Sequence, residues 1–442
     1  MNSVSERLII FTRYPEPGTT KTRLIPVLGP EGSAALQRRL TTRVAATARR
    51  LMQARNLGTE IRHAGGSAAL LRQWLGEGYD YRPQDEGHLG QRMARCLAGA
   101  FASGAERAVL IGADIPGITA AHLKRAFEIL QEHDLVFGPA QDGGYYLIGA
   151  RAARFAKEPS YLGPGIAWSS PQVLARTLEE VRASGLSFSL LDTLADIDRP
   201  EDLPRGMAAL AGESPDFEFS VIVPALNESA QIVPTISHLC RNPRVEVIVV
   251  DGGSTDGTPA VAQACGARVL AARPPRSLQM NAGAALAGGA TLIFLHADTH
   301  LPEGFEKQVR QTLARPGVVA GAFRLKIDGN QKGLGAIERV ANWRSRFLQM
   351  PYGDQALFLR RNTFWELGAF TPIPIMEDFE FIRRLKRTGR IAVAPGYVRT
   401  SPRRWLLVGV AKTWLINQAI IAAYFMGVPP ERLATWYQRK KI

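Results

Sequence analysis

The sequence predicts two α/β domains in tandem, each built on a mostly parallel sheet. Two observations carry that expectation. Short apolar runs alternate with helix-like segments through both halves, which is the pattern of βαβ units. The two halves also share one layout. Each opens with an apolar strand, Leu8-Ile9-Ile10-Phe11 and later Phe219-Ser220-Val221-Ile222-Val223, that runs into a Pro-containing polar loop and a helix. Each later repeats an apolar strand with an acidic tip: Ala108-Val109-Leu110-Ile111-Gly112-Ala113-Asp114, and Thr291-Leu292-Ile293-Phe294-Leu295-His296-Ala297-Asp298. In open parallel sheets ligands bind beyond the carboxyl ends of the strands, where these tips lie. The likeness of the halves reads as a duplication of fold rather than of sequence.

A chain of 442 residues has room for two domains of ordinary size, and 46% hydrophobic with 21% charged residues is globular composition. The boundary is expected at the acidic, Gly- and Pro-bearing stretch 213–218, which follows a helical-looking Glu201–Leu210. This makes the domains 1–212 and 219–442. Charge is uneven between them. Residues 1–212 hold 25 Lys/Arg and 22 Asp/Glu, whereas 213–442 hold 29 and 18. From Phe381 onward, 13 Lys/Arg face the single acid Glu431. Such an excess suggests an anionic partner: a nucleotide diphosphate, an acidic lipid surface or nucleic acid. No nucleic-acid-reading motif supports the last, and aromatic residues are not interleaved with basic ones, so no nucleic-acid partner is expected.

Cys96, Cys240 and Cys265 form no CxxC pair. This argues against a disulfide framework or a cysteine zinc site and fits a reducing, cytoplasmic compartment. The opening Met-Asn-Ser-Val-Ser-Glu-Arg leads straight into a strand, so no secretory leader is expected. The longest apolar stretch, Trp405–Met426, is interrupted by Lys412, Asn417 and Gln418. It is a poor membrane span and reads as a buried or interfacial helix.

In the second half, Pro224-Ala225-Leu226-Asn227-Glu228 follows the first strand, and Val247–Val250 leads into Asp251-Gly252-Gly253-Ser254-Thr255-Asp256-Gly257-Thr258. Glycines there let the backbone turn and approach a ligand closely. Asp251, at a strand end, can accept a hydrogen bond from a base N–H, while Ser254 and Asp256 suit a cap on the next helix. This pair of loops resembles the nucleotide-binding elements of family 2 glycosyltransferases, and the resemblance spans essentially residues 219–442.

The resemblance implies a GT-A fold, a nucleotide-sugar donor, and nucleotide contacts from Pro224, Asn227, Glu228, Asp251, Gly253, Ser254 and Asp256. The stretch Arg276-Ser277-Leu278-Gln279-Met280-Asn281-Ala282-Gly283 is similar to one that lies beside the nucleotide in that family. Arg276, whose guanidinium suits phosphate oxygens, is then a diphosphate contact, with Gln279 and Asn281 nearby. His296-Ala297-Asp298 stands in the place of the family's D-x-D metal motif. Asp298 is expected to bind a divalent cation, Mn²⁺ or Mg²⁺. His296 departs from the usual aspartate; as a ligand it would suit Mn²⁺ better, and otherwise it would orient a water or phosphate.

Met376-Glu377-Asp378-Phe379-Glu380 resembles the motif that supplies the base in inverting members, with Asp378 as base and Glu377 beside it. Arg403-Arg404-Trp405 resembles an element on the acceptor or phosphate side, but its usual Gln is absent, so processive polymerisation is not implied. These details, together with Gly427-Val428-Pro429, are similar to a bacterial subgroup labelled as arsenosugar-biosynthesis glycosyltransferases. The implied acceptor is a small-molecule or lipid-linked hydroxyl, with an anionic membrane surface as a second partner.

In the first half, Lys21-Thr22 lacks the preceding glycine of a P-loop, because Thr20 stands there. The stretch from Pro15 to Leu24 instead resembles the opening of a bacterial family related to GT-A glycosyltransferases and nucleotidyltransferases. Gly112-Ala113-Asp114-Ile115-Pro116, Gln141-Asp142-Gly143-Gly144-Tyr145 and Asp196-Ile197-Asp198 match its other marks. Lys21 and Arg23 are then candidates for phosphates, Asp114 and Asp142 for a cation, and Gly143 and Gly144 for close approach to a sugar or base. Activation of a sugar phosphate, a second transfer and a silent scaffold all remain open for this half.

Overall fold

A computed structural model describes residues 5–156, 159–211 and 217–439. Residue contacts separate two compact units, one of Met1–Lys21 with Leu36–Leu210 and one of Thr22–Ala35 with Ala211–Ile442.

The first unit holds seven strands: β1 (Glu6–Arg13), β2 (Leu57–Ala64), β3 (Asp80–Pro83), β4 (Arg107–Gly112), β5 (Leu135–Pro139), β6 (Tyr145–Arg151) and β7 (Phe188–Leu190). Their order is β3-β2-β1-β4-β6-β5-β7, with only β6 running against the rest. Side chains alternate across a strand, so both faces of β1 and β4 need cover. Leu8, Ile10, Val109 and Ile111 enter one core, and Ile9, Phe11, Ala108 and Leu110 enter the other.

The second unit repeats this plan. Its strands are β8 (Phe219–Ala225), β9 (Val245–Asp251), β10 (Arg268–Ala271), β11 (Thr291–Phe294), β12 (Thr299–His300), β13 (Val318–Ile327), β14 (Leu357–Arg360) and β15 (Arg390–Thr400). Their order is β10-β9-β8-β11-β14-β13-β15-β12. Apart from the edge strand β12, order and direction match the first sheet strand for strand, with β14 antiparallel to its neighbours β11 and β13 as β6 is to β4 and β5. The tips of β4 and β11 are therefore equivalent positions in two α/β units of one topology.

Small residues set the spacing beside β8. In the helix Arg276–Leu286, Ala282, Ala284 and Ala285 are buried, and a side chain at Gly283 would collide with Ile222 and Val250. The helix backbone therefore lies close on the sheet, which fixes Arg276 at its first turn beside the strand tips.

The apolar stretch Trp405–Met426 is not one helix. Gly409 takes φ 91°, a conformation that favours glycine, and separates the helices Arg403–Val408 and Val410–Phe425. Among the described residues no helix is long and apolar enough to cross a membrane. The three cysteines are free thiols.

Candidate active site

Two loops meet at the tips of β8 and β9. Asn227, at φ 54°, donates its backbone N–H to Ser254 Oγ at 2.8 Å and accepts at Oδ1 from the N–H of Thr255 at 2.9 Å. Asp256 Oδ2 accepts from the N–H of Ser229 at 2.9 Å, and its Oδ1 accepts from the N–H of Thr258 at 3.0 Å. Those donors open the helices Ser229–Cys240 and Thr258–Ala264, so one carboxylate caps two helices. The hydrogen bonds it accepts hold its carboxyl well below the usual range. Ser254, expected to cap a helix, ties the two loops together instead.

Asp251 ends β9 and is only 5% exposed. Its Oδ2 accepts from the N–H groups of Gly253 and Ser254, both at 3.0 Å, while Oδ1 is buried and meets no hydrogen-bond donor of the chain. A buried carboxylate oxygen without a donor is costly unless a ligand supplies one. Gly253 beside it adopts φ 99°, with open space around its α-carbon. Pro224 precedes the last residue of β8 and is half-buried.

The Arg276–Leu286 helix divides its expected roles. Arg276 stays partly exposed, with Nε 4.0 Å from Glu377 Oε1. Gln279 donates to the carbonyl of Ala272 at 3.0 Å. Asn281 is fully buried, donating to the carbonyls of Val27 and Phe370 and accepting from the N–H of Phe370. The amide of Asn281 is thus spent on backbone, which corrects the expectation of a nucleotide contact from this side chain.

A cleft opens beside this helix. Polar groups on its wall include Arg276, Tyr352, Glu377 and Asp378, with Met280, Phe294, Leu357, Phe370 and Ile382 among its apolar lining. Asp378 Oδ2 accepts from the N–H of Gly353 at 2.7 Å, and Oδ1 accepts from the N–H of Phe379 at 2.7 Å. A side chain at Gly353 would lie 3.1 Å from both Asp378 Oδ2 and His296 Nε2, so this glycine lets the strand-tip histidine and the candidate base come together. Burial and then the neighbouring Asp378 push the Glu377 carboxyl up, against the opposing pull of Arg276. Behind the cleft, the Arg344 guanidinium stacks 3.3 Å from the Tyr352 ring centroid, and burial lowers its pKa. Sequence reasoning missed Arg344, Tyr352 and Gly353, which stand in no polar strand-tip motif.

Asp298 sits half-buried just past β11, and its carbonyl accepts from the N–H of Ser401 at 3.1 Å. Arg403 donates to Glu228 Oε1 at 2.5 Å, and its charge is also favoured by Asp298. Arg403 thereby joins the donor-side loop and is not a free acceptor-side cation. Trp405 is partly buried and packs on the core of the unit. The side chain of Arg404 lies outside the described residues.

In the first unit, Lys21 at φ 49° is 5% exposed at its side chain. It donates to Asp114 Oδ2 at 3.2 Å and to the carbonyl of Ile197. The lysine charge is thus matched by Asp114 in this structure. Arg23 lies in the short 3-10 turn Thr22–Leu24 that follows Lys21. Asp142 Oδ1 accepts from the N–H of Gly144 at 2.9 Å, and Gly143 takes φ 88° with a carbonyl pressed against its α-carbon. Asp196 was legible only as part of a family mark. Burial and then Asp142 and Asp114 push its carboxyl up to about 6. Among the described residues of the chain, no group of three or more His, Cys, Asp or Glu side chains is arranged to hold a metal ion unaided.

With this geometry in hand, residues 220–368 match the family described as "Glycosyl transferase family 2", and residues 47–170 match "Uncharacterized protein conserved in bacteria (DUF2064)". The chain is 32% identical to a putative nucleotide-diphospho-sugar transferase from Desulfovibrio desulfuricans G20, over 48% of this chain and 89% of that one, with a TM-score of 0.44. It is also similar to a mannosyltransferase from Pyrobaculum calidifontis solved with GDP-Man and Mn²⁺, at 20% identity over 50% and 68% of the chains and a TM-score of 0.37. Glucosyl-3-phosphoglycerate synthase from Mycobacterium tuberculosis, solved with Mn²⁺ and UDP, matches at 24% identity over 44% and 75%, with a TM-score of 0.33. No curated protein matches the chain. The family 2 match over the second unit makes the chain a glycosyltransferase, built of GT-A-like α/β units. Its second unit carries the family 2 domain, and its first carries the DUF2064 domain. None of these matches reaches an arsenosugar-biosynthesis subgroup.

Proposed function

We propose that the second unit of this cytoplasmic enzyme transfers a sugar from a nucleotide-diphosphate donor to a small-molecule or lipid-linked hydroxyl, with inversion. The observation that carries the reading is Asp251 Oδ1, buried beside a glycine turn and in need of a donor such as a base N–H. Asn227, Ser254 and Asp256 hold that turn rigid, and Arg276 stands over the cleft to take diphosphate oxygens in a fork. The acceptor hydroxyl gives its proton to Asp378 as its oxygen attacks the anomeric carbon. The bond from that carbon to the diphosphate breaks, and the leaving group takes the electron pair. Glu377, buried and with its carboxyl pushed up beside Asp378, suits a positioning contact to the sugar better than a second base.

A half-buried carboxylate just past a strand end, two residues after His296, fits a cation held jointly by protein and diphosphate oxygens. Asp298, with His296 as second ligand, would hold that Mn²⁺ or Mg²⁺, which supplies Lewis-acid neutralisation of the leaving diphosphate. For the first unit we propose nucleoside triphosphate or sugar phosphate handling at the tip of β4. Support comes from the shared topology, which gives Asp114 the position that Asp298 holds in the second sheet.

Calorimetry on the full chain with UDP, GDP and their sugars, with and without Mn²⁺, tests the reading. Asp251→Ala should weaken nucleotide binding by about tenfold or more, the worth of a hydrogen bond to a charged group. Asp298→Ala should remove the Mn²⁺ dependence. Asp114→Asn should spare nucleotide-sugar binding and impair only triphosphate or sugar phosphate binding. Unchanged affinity in Asp251→Ala would refute the donor site.

A further inference from the structure

The C-terminal helices leave an apolar surface uncovered. In the helix Val410–Phe425 the inward face is Thr413, Ile420 and Ala423. The outward face carries Trp414, Leu415 and Phe425, followed by Met426, and Leu406 and Leu407 extend it across the Gly409 bend. Leu407 is 80% exposed and Leu415 60%. Exposed Trp, Leu, Phe and Met side chains clustered on one surface are costly in water and favour cover by an apolar medium such as lipid. Lys412 is exposed on this helix, and Arg432 on the helix Pro430–Arg439, which follows and packs back through Leu433 to make a helical hairpin. From Arg403 to the end the sequence has seven Lys/Arg and one acid, Lys440 and Lys441 lying outside the described residues. Apolar anchors in a basic setting complement an anionic bilayer rather than a neutral one.

The surface is also continuous with the cleft. Ile375 and Met376 pack with Ile420, Ala423 and Leu433, and the rings of Tyr424 and Phe425 meet Phe379 edge-on at 5.6 and 5.4 Å. The helical hairpin is therefore seated on the segment that presents Glu377 and Asp378, and exposed Phe425 lies one residue's packing away from the candidate base.

We propose that this hairpin docks in the plane of an anionic phospholipid surface and brings the Asp378 cleft to it, so that the acceptor hydroxyl is borne by a membrane lipid. The lipid acceptor rests on the transferase reading above; the docking surface does not. Full-length protein is sedimented with vesicles of phosphatidylglycerol and phosphatidylcholine in equal parts, and with phosphatidylcholine alone. Binding is expected to the first only, to fall as salt is raised, and to weaken about tenfold in Leu407→Gln/Leu415→Gln. Nucleotide-sugar hydrolysis without vesicles is followed on the same samples and should be unchanged by that double variant, which also reports that it folds. Recovery in the supernatant with both vesicles, or equal binding to both, overturns the proposal. So does light scattering that finds a dimer broken by Leu415→Gln with no vesicle binding, which would make the patch an interface between copies. Vesicle binding without any nucleotide-sugar turnover would sink the transferase reading while leaving the docking surface standing.

Discussion

Glu377 and Asp378 are adjacent acids whose surroundings set them to different tasks. Asp378 is oriented by two backbone N–H groups and faces His296 across Gly353. Glu377 is buried, and its neutral form is favoured. Asp378→Asn should lower kcat by about 10²–10⁴-fold, the usual worth of a positioned general base, and leave donor affinity within about threefold. Glu377→Gln should behave oppositely in a pH series of thermal melts. A carboxyl whose folded pKa is raised contributes stability that is complete below its unfolded value and lost as pH rises through the folded one. The glutamine variant should therefore melt above wild type at pH 8, and the gap should close below about pH 4. A constant offset at every pH would mean that burial does not govern Glu377.

At the scale of elements, the donor side is a pair of loops held by one shared cap. Asp256 satisfies first-turn donors of two helices, one after each of the strands β8 and β9. Asp256→Ala should lower stability through the lost helix caps, read as a fall in urea midpoint. Because those loops also frame Asp251, nucleotide affinity should fall in the same variant. Asp256→Asn, which keeps one of the two acceptor oxygens, should cap only one of the two helices and recover only part of both.

The whole molecule repeats one strand order twice, and the two copies have diverged in how they treat charge at the central strand tip. In the second unit Asp298 is half-buried next to a histidine. In the first, Asp114 is tied to the buried Lys21, with Asp142 and Asp196 close by. Asp196, with its carboxyl pushed up to about 6, contributes stability that is full below about pH 4 and lost as pH rises through 6. Asp196→Asn should stabilise the first unit above pH 7 by about 1 kcal/mol, a figure discounted for the partial exposure of the carboxyl, and by nothing at pH 4. Chemical denaturation across that range reads the difference. A gain independent of pH would remove the acid cluster as its cause.

By itself the sequence determined the local chemistry. The apolar runs form strands because β-branched and aliphatic side chains fill both faces of a covered sheet, and the polar tips fall where chain direction puts them. Asp251, Arg276, Asp298 and Asp378 could be named because their motifs are short and contiguous. Tertiary structure decided which polar side chains remain available to a ligand. Asn281 and Arg276 stand in one motif, yet the helix turns the first into the core and the second onto the cleft wall. Lys21 reads in sequence as a cation after a strand, and only the fold shows that Asp114, 93 residues away, lies within reach of it. The break of Trp405–Met426 at Gly409 was likewise hidden, since composition fixes how apolar a segment is but not which face packs. Burial and pairing are sums over residues distant in sequence, and a side chain's role follows from what the fold leaves beside it.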